Sequence, residues 1–346
     1  MRKIKIAGVI VLAILLLIPF LASSASAGSG FTLASLNGTY VIHDFDSGFH
    51  HNDPNGGWGA SDEQSLMKAT VTFNGEGAVT SSFNEFILNR EITEVDPNLG
   101  SDLVRSNKFI TTQRSDDSGS VDGTYLISDD GTFMLTFDLG DGETDTITGT
   151  ASEDGNTAIF GYSEFSDSDM WGSVGIGVGV KKGSGFTLAS LDGTYIIHDF
   201  DSAFHHGDPN EGWGASDEQS VTKAVVNFNG AGNVTLSFNE STLNRDITEV
   251  DVNIGSDLVR SNKFITTQSS DIGTVDGTYL ISDDGTFTLT FDLGNGETDT
   301  ITGTASEDGN TAIFGYSEFS DSNMWGSVGI GVGVKKGSGF TLASLN

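Results

Sequence analysis

The chain has 346 residues, no cysteine, and 16 Lys+Arg against 48 Asp+Glu, for a formal net charge of −32. A field of that sign repels nucleic acid and anionic membrane surfaces, which are gripped through Lys and Arg. Without cysteine there is neither a disulfide framework nor a lipid-modified cysteine, so core packing alone must hold the fold.

Residues 1–27 have the layout of a secretory signal peptide. Arg2, Lys3 and Lys5 precede an apolar run from Ile6 to Leu21, and Ala25-Ser26-Ala27 offers the cleavage site. Removing it takes away three cations and no acid, which leaves 13 Lys+Arg against 48 Asp+Glu, about −35. The expected location is secreted, periplasmic or cell-surface, with no membrane insertion after processing.

From Gly28 the chain repeats itself. Residues 28–182 recur as 183–336 with 23 substitutions and one gap, at Ser118, and a third copy starts within 337–346. A period this long is a whole domain, not a solenoid rung. The junction Lys181-Lys182-Gly183-Ser184-Gly185 is short, polar and glycine-rich, so the copies are expected to be separate domains.

Within the first copy no long helical period occurs. Short alternating runs predict strands over 38–45, 68–74, 78–86, 107–113, 123–128, 132–139, 144–151, 157–165 and 173–181. Asn74-Gly75-Glu76-Gly77, Asp129-Asp130-Gly131, Asp141-Gly142 and Glu153-Asp154-Gly155-Asn156 supply tight turns, so neighbouring strands should pair antiparallel. The fold class is all-β: two tandem antiparallel up-and-down β-barrels of about eight to ten strands each, with a β-sandwich as the alternative.

The differences between copies orient some strands. Thr70 and Thr72 become Val225 and Asn227 while Val71 and Phe73 persist, so the latter pair should face the core. Phe133, Leu135, Phe137 and Leu139 share a face, and Met134 opposite becomes Thr288. Phe86-Ile87 becomes Ser241-Thr242, which places that strand end outside the deep core. In Gly172–Val180, Val and Ile alternate with mostly Gly, a pattern of close approach where a sheet closes.

The stretch Leu33-Ala34-Ser35-Leu36-Asn37-Gly38-Thr39-Tyr40 resembles the opening of calycin, lipocalin-like barrels, with Tyr40 and Tyr195 in place of their Trp. The Gly-Thr-Tyr strands and Asp-Gly hairpins also resemble uncharacterised secreted bacterial repeats. Either resemblance implies a ligand-binding or surface barrel rather than an enzyme, with a short turn covering the barrel's closed end.

Candidate chemistry falls in three groups. His43, His50, His51 and Asp53, repeated as His198, His205, His206 and Asp208, carry donor types suited to a weakly held divalent transition metal, although a solvated polar loop explains them as well. Tyr40, Phe73, Phe83, Phe133 and Phe137, with Tyr195, Phe228, Phe238, Phe287 and Phe291, would line a pocket for a small apolar molecule if the barrel is open. Trp58 and Trp171, with Trp213 and Trp325, either plug a barrel end or stack on carbohydrate.

The acidic clusters match no calcium-loop spacing, and Asp117, Asp141 and Asp169 lose their charge in the second copy. They are expected to be mostly turn and solvated-face residues. No nucleophile elbow, phosphate loop or zinc-protease helix occurs, so no catalytic residue or firm cofactor is expected. The functional expectation is a non-catalytic binding or surface module, against a pocketless adhesive array.

Overall fold

The computed structural model describes residues 30–51, 59–95, 98–99, 102–103, 106–140, 142–166, 171–206, 214–254, 257–294, 296–320 and 325–337. The signal-peptide segment, Asp53, Trp58, Asp208, Trp213 and the tail 338–346 lie outside them.

The first copy forms β1 (Gly38–His51), β2 (Gly59–Phe73), β3 (Ala78–Val95), β4 (Asn98–Leu99), β5 (Asp102–Leu103), β6 (Ser106–Ile127), β7 (Thr132–Gly140), β8 (Glu143–Ala151), β9 (Thr157–Ser166) and β10 (Trp171–Lys181). The second forms β11 (Gly193–His206), β12 (Gly214–Phe228), β13 (Asn233–Ile254), β14 (Asp257–Ile281), β15 (Thr286–Gly294), β16 (Glu297–Ala305), β17 (Thr311–Ser320) and β18 (Trp325–Lys335). Each copy closes into an antiparallel eight-stranded barrel whose first and last strands pair, β1 with β10 and β11 with β18. The short β4–β5 ladder lies on the β3–β6 connection.

Turn chemistry sets one end of the barrel. Gly75 and Gly77 take φ of +77° and +104°, and Asn74 Oδ1 accepts the amide hydrogens of Glu76 and Ala78 at 2.8 and 2.9 Å. At that same end a 3-10 turn, Leu33–Leu36, buries Leu36 among the core residues. Tyr125 donates its hydroxyl to Leu33 O at 2.8 Å, and the Tyr40 hydroxyl bonds Gly155 O. The turn expected to cover the closed end is therefore present, and Leu188–Leu191 does the same in the second copy. The two Gly-Thr-Tyr echoes place Tyr40 and Tyr125 edge-on to Phe73, at centroid distances of 5.3 and 4.9 Å.

The expected faces hold: Val71, Phe73, Phe133, Leu135 and Phe137 are buried in the core, while Thr70, Thr72 and Met134 are exposed. On β10 the glycines face inward and Val and Ile face outward. A Cβ on Gly179 would meet Ile42 Cγ1 at 3.1 Å, and one on Gly177 would meet Phe160 Cε1 at 2.8 Å. Closure by this strand depends on those missing side chains, whose space the rings and Ile42 occupy.

Two expectations are corrected. The predicted strands 107–113 and 123–128 are parts of one strand, β6, laddered along β3 through the polar stretch 114–121. Backbone pairing with a long neighbour continued the strand where no apolar alternation marked it. The two copies, expected to be separate domains, also pack against each other. Phe45, Leu66, Phe86 and Leu88 of the first pack against Phe204, Val328 and Ile330 of the second. Phe45 and Phe200 meet edge-on at 5.2 Å, and Gln64 Nε2 donates to Ser202 Oγ at 2.6 Å. The junction is pinned as well: Glu307 N donates to Lys181 O at 2.9 Å, and Lys182 pairs with Asp284 at 2.8 Å.

Candidate functional site

Alternation along each strand separates the barrel interior into two zones. Counting inward from Tyr40, β1 presents Tyr40, Ile42, Asp44 and Asp46 to the same side. The lower zone is filled: Tyr40, Ile42, Phe73, Tyr125, Phe133, Phe137 and Phe160 pack together as one core. The aromatic residues expected to line an apolar pocket thus contact one another, with Phe83 half-buried against them, and Tyr195, Phe228, Phe287, Phe291 and Phe238 repeat the arrangement.

The upper zone is acidic. Asp44 and Asp46 on β1, Glu63 on β2, Glu85 on β3, Asp145 on β8 and Glu164 on β9 occupy inward positions above the core. Tyr162 donates its hydroxyl to Asp44 Oδ2 at 3.0 Å. Asp44 is buried, and its Oδ1 has no hydrogen-bond partner among the described residues. Burial pushes the Asp44 carboxyl up to about 7, against the lowering effect of the Tyr162 hydrogen bond and with Asp46 and Glu85 adding to the rise. Burial, then Glu85 and Asp46, lifts Glu63 to about 7, and burial, then Asp145 and Asp46, lifts Glu164 to about 6. Asp46, Glu85 and Asp145 are also raised, chiefly by burial. Burial followed by Asp44 and Asp46 raises the Tyr162 phenol, which stays a donor. These carboxyls raise one another, so their titrations are coupled.

The wall around this zone is low on one side. β7 and β8 have nine residues each, against 18 in β3 and 22 in β6. β8 and β9 pair only from Thr148↔Gly161 to Ala151↔Ala158, so above that point they part. An open cleft of about 510 Å³ lies there, lined by Thr146, Thr148, Gly161, Tyr162, Ser163 and Gly175. Tyr162 lines this cleft and also hydrogen-bonds Asp44, so it stands between the cleft and the acid-lined interior zone, the acidic trough.

The second barrel repeats it. Asp199 and Asp201 are lifted to about 7, chiefly by burial, and each has one oxygen without a partner among the described residues. Tyr316 donates to Asp199 Oδ2 at 3.4 Å, and Glu218 is raised by burial and then by Glu240. β16 and β17 pair over a still shorter stretch, Gly303↔Phe314 to Ala305↔Ala312.

The histidine sites are divided by the sheet. His43 lies on the outer face, buried between the barrels, while Asp44 beside it points inward. Its copy-two counterpart His198 is exposed. His50, His51, His205 and His206 fall at the far ends of β1 and β11. Among the described residues no three His, Asp or Glu converge to hold a metal ion. Trp171 and Trp325 begin β10 and β18, each across from a serine of the preceding strand, Ser166 and Ser320.

Sequence reasoning missed Asp44 and Asp46 as interior groups because acidic residues beside glycine-rich segments read as turns. The signal that finds them is parity with Tyr40 and Ile42.

The fold and site define a class: a tandem pair of eight-stranded barrels, each with a filled aromatic base and an acid-lined upper trough. No family model and no curated protein matches the chain. Among solved structures it is similar to a transferrin-binding protein B double mutant from Haemophilus parasuis Hp5, at 9% identity and TM-score 0.32, over 87% of this chain and 77% of that one. Another match is an intact transferrin-binding protein B, Ap-TbpB, with N and C lobes (10% identity, TM-score 0.31, over 87% of this chain and 78% of that one). The β-domain of the Bordetella autotransporter BrkA matches at 7% identity and TM-score 0.22, over 86% and 99%. Superpositions this loose carry no argument about function. No helix among the described residues is long and apolar enough to cross a membrane.

Proposed function

We propose that the protein is an exported, non-catalytic binding protein whose two barrels each take a small organic cation in the acidic trough. The observation that carries this reading is Asp44, a buried carboxyl with an unused oxygen beneath a ring of half-buried acids. Leaving such an acceptor unmade is costly, and the complement is a ligand rich in N–H donors and free of acceptors. The acids are spread over five strands and do not converge as one metal shell requires. An extended polyammonium fits that spread better than a single divalent ion. The signal-peptide layout of residues 1–27 supports export.

A bound cation lowers the carboxyl pKa values and releases the protons they hold. Affinity should therefore rise as pH climbs from about 5 to about 8. The test is calorimetry with spermidine, and separately with calcium, zinc and nickel, in two buffers of different ionisation enthalpy at physiological salt. The expected result is two spermidine sites per chain with buffer-dependent heats, lost in Asp44→Asn/Asp199→Asn. Equal heats from that variant and the parent protein would overturn the reading. Tight binding of a metal alone would assign the trough to an ion instead.

A further inference from the structure

The contact between the barrels is not symmetric, and each barrel uses a different outer face. The first contributes β10, β1, β2 and β3, with Val178 and Val180 on β10 and Leu66 and Leu88 as projecting side chains. The second contributes β17, β18 and β11, where two glycines leave seats for them. A Cβ on Gly315 would meet Leu66 Cδ1 at 3.0 Å, and one on Gly326 would meet Leu88 Cδ2 at 2.7 Å. An interface that joins unlike faces of like units is heterologous, and it leaves one copy of each face unused.

Beyond the residues already used, the counterparts of the contact residues are present and exposed on both barrels. On the first barrel, Ile159, Val174, Ile176 and Phe49 are the counterparts of Ile313, Val328, Ile330 and Phe204. Val174 is 60% exposed where Val328 is 0%, and Phe49 is 66% exposed where Phe204 is 3%. The counterpart glycine seats, Gly161 and Gly172, face no neighbouring barrel. On the second barrel, Val221 and Leu243 stand where Leu66 and Leu88 stand on the first. Leu243 is 47% exposed against 0% for Leu88.

We propose that the protein self-associates head to tail. The β9–β10–β1 outer face of the first barrel in one molecule receives the β12–β13 outer face of the second barrel in the next, repeating the contact already made within the chain. The occupant is identified by that internal contact, in which the equivalent seat is filled by a barrel of nearly the same sequence. Such a contact propagates as an open chain or closes as a ring. It is weaker than its internal model because Phe86 and Leu66 are replaced by Ser241 and Val221, which removes aromatic and aliphatic area from the donor face. A net charge near −35 opposes it, so salt should favour it within the range where surface charges are screened. The trough carboxyls face the barrel interior, whereas the Gly161 seat also lines the cleft between β8 and β9, so the two surfaces adjoin.

Sedimentation velocity and light scattering of the full secreted chain, from low micromolar to millimolar concentration at two salt levels, test the proposal. The expected result is an average mass that rises with concentration and rises further with salt. Val174→Asp/Ile176→Asp, on an exposed face, should remain monomeric with an unchanged circular dichroism spectrum. Val221→Leu/Ser241→Phe, which restores the donor face of the first barrel, should associate at concentrations about tenfold lower or less. Monomers throughout, for both the parent protein and the restored variant, would overturn the proposal. So would association that Val174→Asp/Ile176→Asp abolishes but Val221→Leu/Ser241→Phe leaves unchanged, because that pattern means twofold pairing of the β9–β10 faces.

Discussion

Replacing Gly177 and Gly331 with alanine is the sharpest test of why β10 and β18 are so rich in glycine. Gly177 pairs directly with Phe160 of β9, and the Phe160 ring fills the space that a side chain on Gly177 would take. The added methyl would sit 2.8 Å from Phe160 Cε1 and closer still to Cζ, and at Gly331 it would sit 2.6 Å from Phe314 Cε1. Contact with three ring atoms at once cannot be relieved by turning the ring's tip. The whole ring must leave a core in which Phe160 is buried. Overpacking of this kind costs about 1–3 kcal/mol per site. Against it stands the loss of glycine's unfolded-state freedom, which favours alanine by about 0.4–1 kcal/mol. The net effect is a destabilisation of roughly 1–2 kcal/mol per barrel. For domains of this size that lowers the melting temperature by about 2–8 °C. Changing both barrels together ensures that the first transition moves whichever barrel melts first. Adding Phe160→Leu and Phe314→Leu should restore part of the loss relative to the leucine variants alone, as a double-mutant cycle would show. A melting temperature equal to or above the parent's in Gly177→Ala/Gly331→Ala would refute the packing account of these glycines.

Two further outcomes follow from the contact between the barrels and from the buried titratable groups. Phe86→Ser installs the second copy's residue and removes a side chain buried against the second barrel, a loss on the order of 3–5 kcal/mol by analogy with buried Phe truncations. Calorimetry should show the two barrels melting more independently while β-type circular dichroism is retained; a single unchanged transition would contradict this. The stability of the whole chain should fall as pH rises from about 4 to about 7, because the raised trough carboxyls outnumber the one lowered histidine that opposes them. His43 is held down to about 4 by burial and then by the charge of Lys68, so its contribution is lost as pH falls from its unfolded value near 6.5. The trough carboxyls are raised, so the stability linked to them is present at low pH and lost as pH rises from about 4 through about 7. Thermal melts across this range check the fall, and Asp44→Asn/Asp199→Asn should flatten it; a melting temperature that rises from about pH 4 to about pH 7 would contradict the assignment.

The lower half of each barrel was legible in the sequence and the upper half was not, for one physical reason. Where the interior is apolar, as at Val71, Phe73, Phe133 and Phe137, alternation with exposed Thr and Met marks both the strand and its faces. Where the interior is acidic the signal inverts. In Asp44-Phe45-Asp46 the aromatic residue points out to the second barrel and the acids point in, so β1 read as ending at Phe45 when it continues to His51. The early end assigned to β3 at Phe86 and the late start assigned to β2 at Lys68 have the same origin. The pair Phe86 and Ser241 did carry a signal of exposure, but a single chain could not say that Phe86 is covered by another barrel rather than by water. His43 illustrates the converse. Its residue type suggested a ligand, and its place on the outer face beside Lys68 makes it a buried neutral group between domains.

The near-identity of the two copies also bears on how the chain reaches this structure. Closure of either barrel joins its first strand to its last, and the closing pairs are written twice in almost the same letters: Phe45 opposite Ile176, and Phe200 opposite Ile330. During folding, β1 meets in β18 a competitor that offers the same register. The wrong closure spans a loop a little more than twice as long, a difference worth only about 0.7 kcal/mol in chain entropy. Thermodynamic preference for the correct partner is thus slight at the moment of encounter. Order of synthesis supplies the missing discrimination, since β10 is complete before any part of the second copy exists. Refolding from denaturant removes that order. Refolded protein should then contain strand-exchanged species that ordered synthesis avoids.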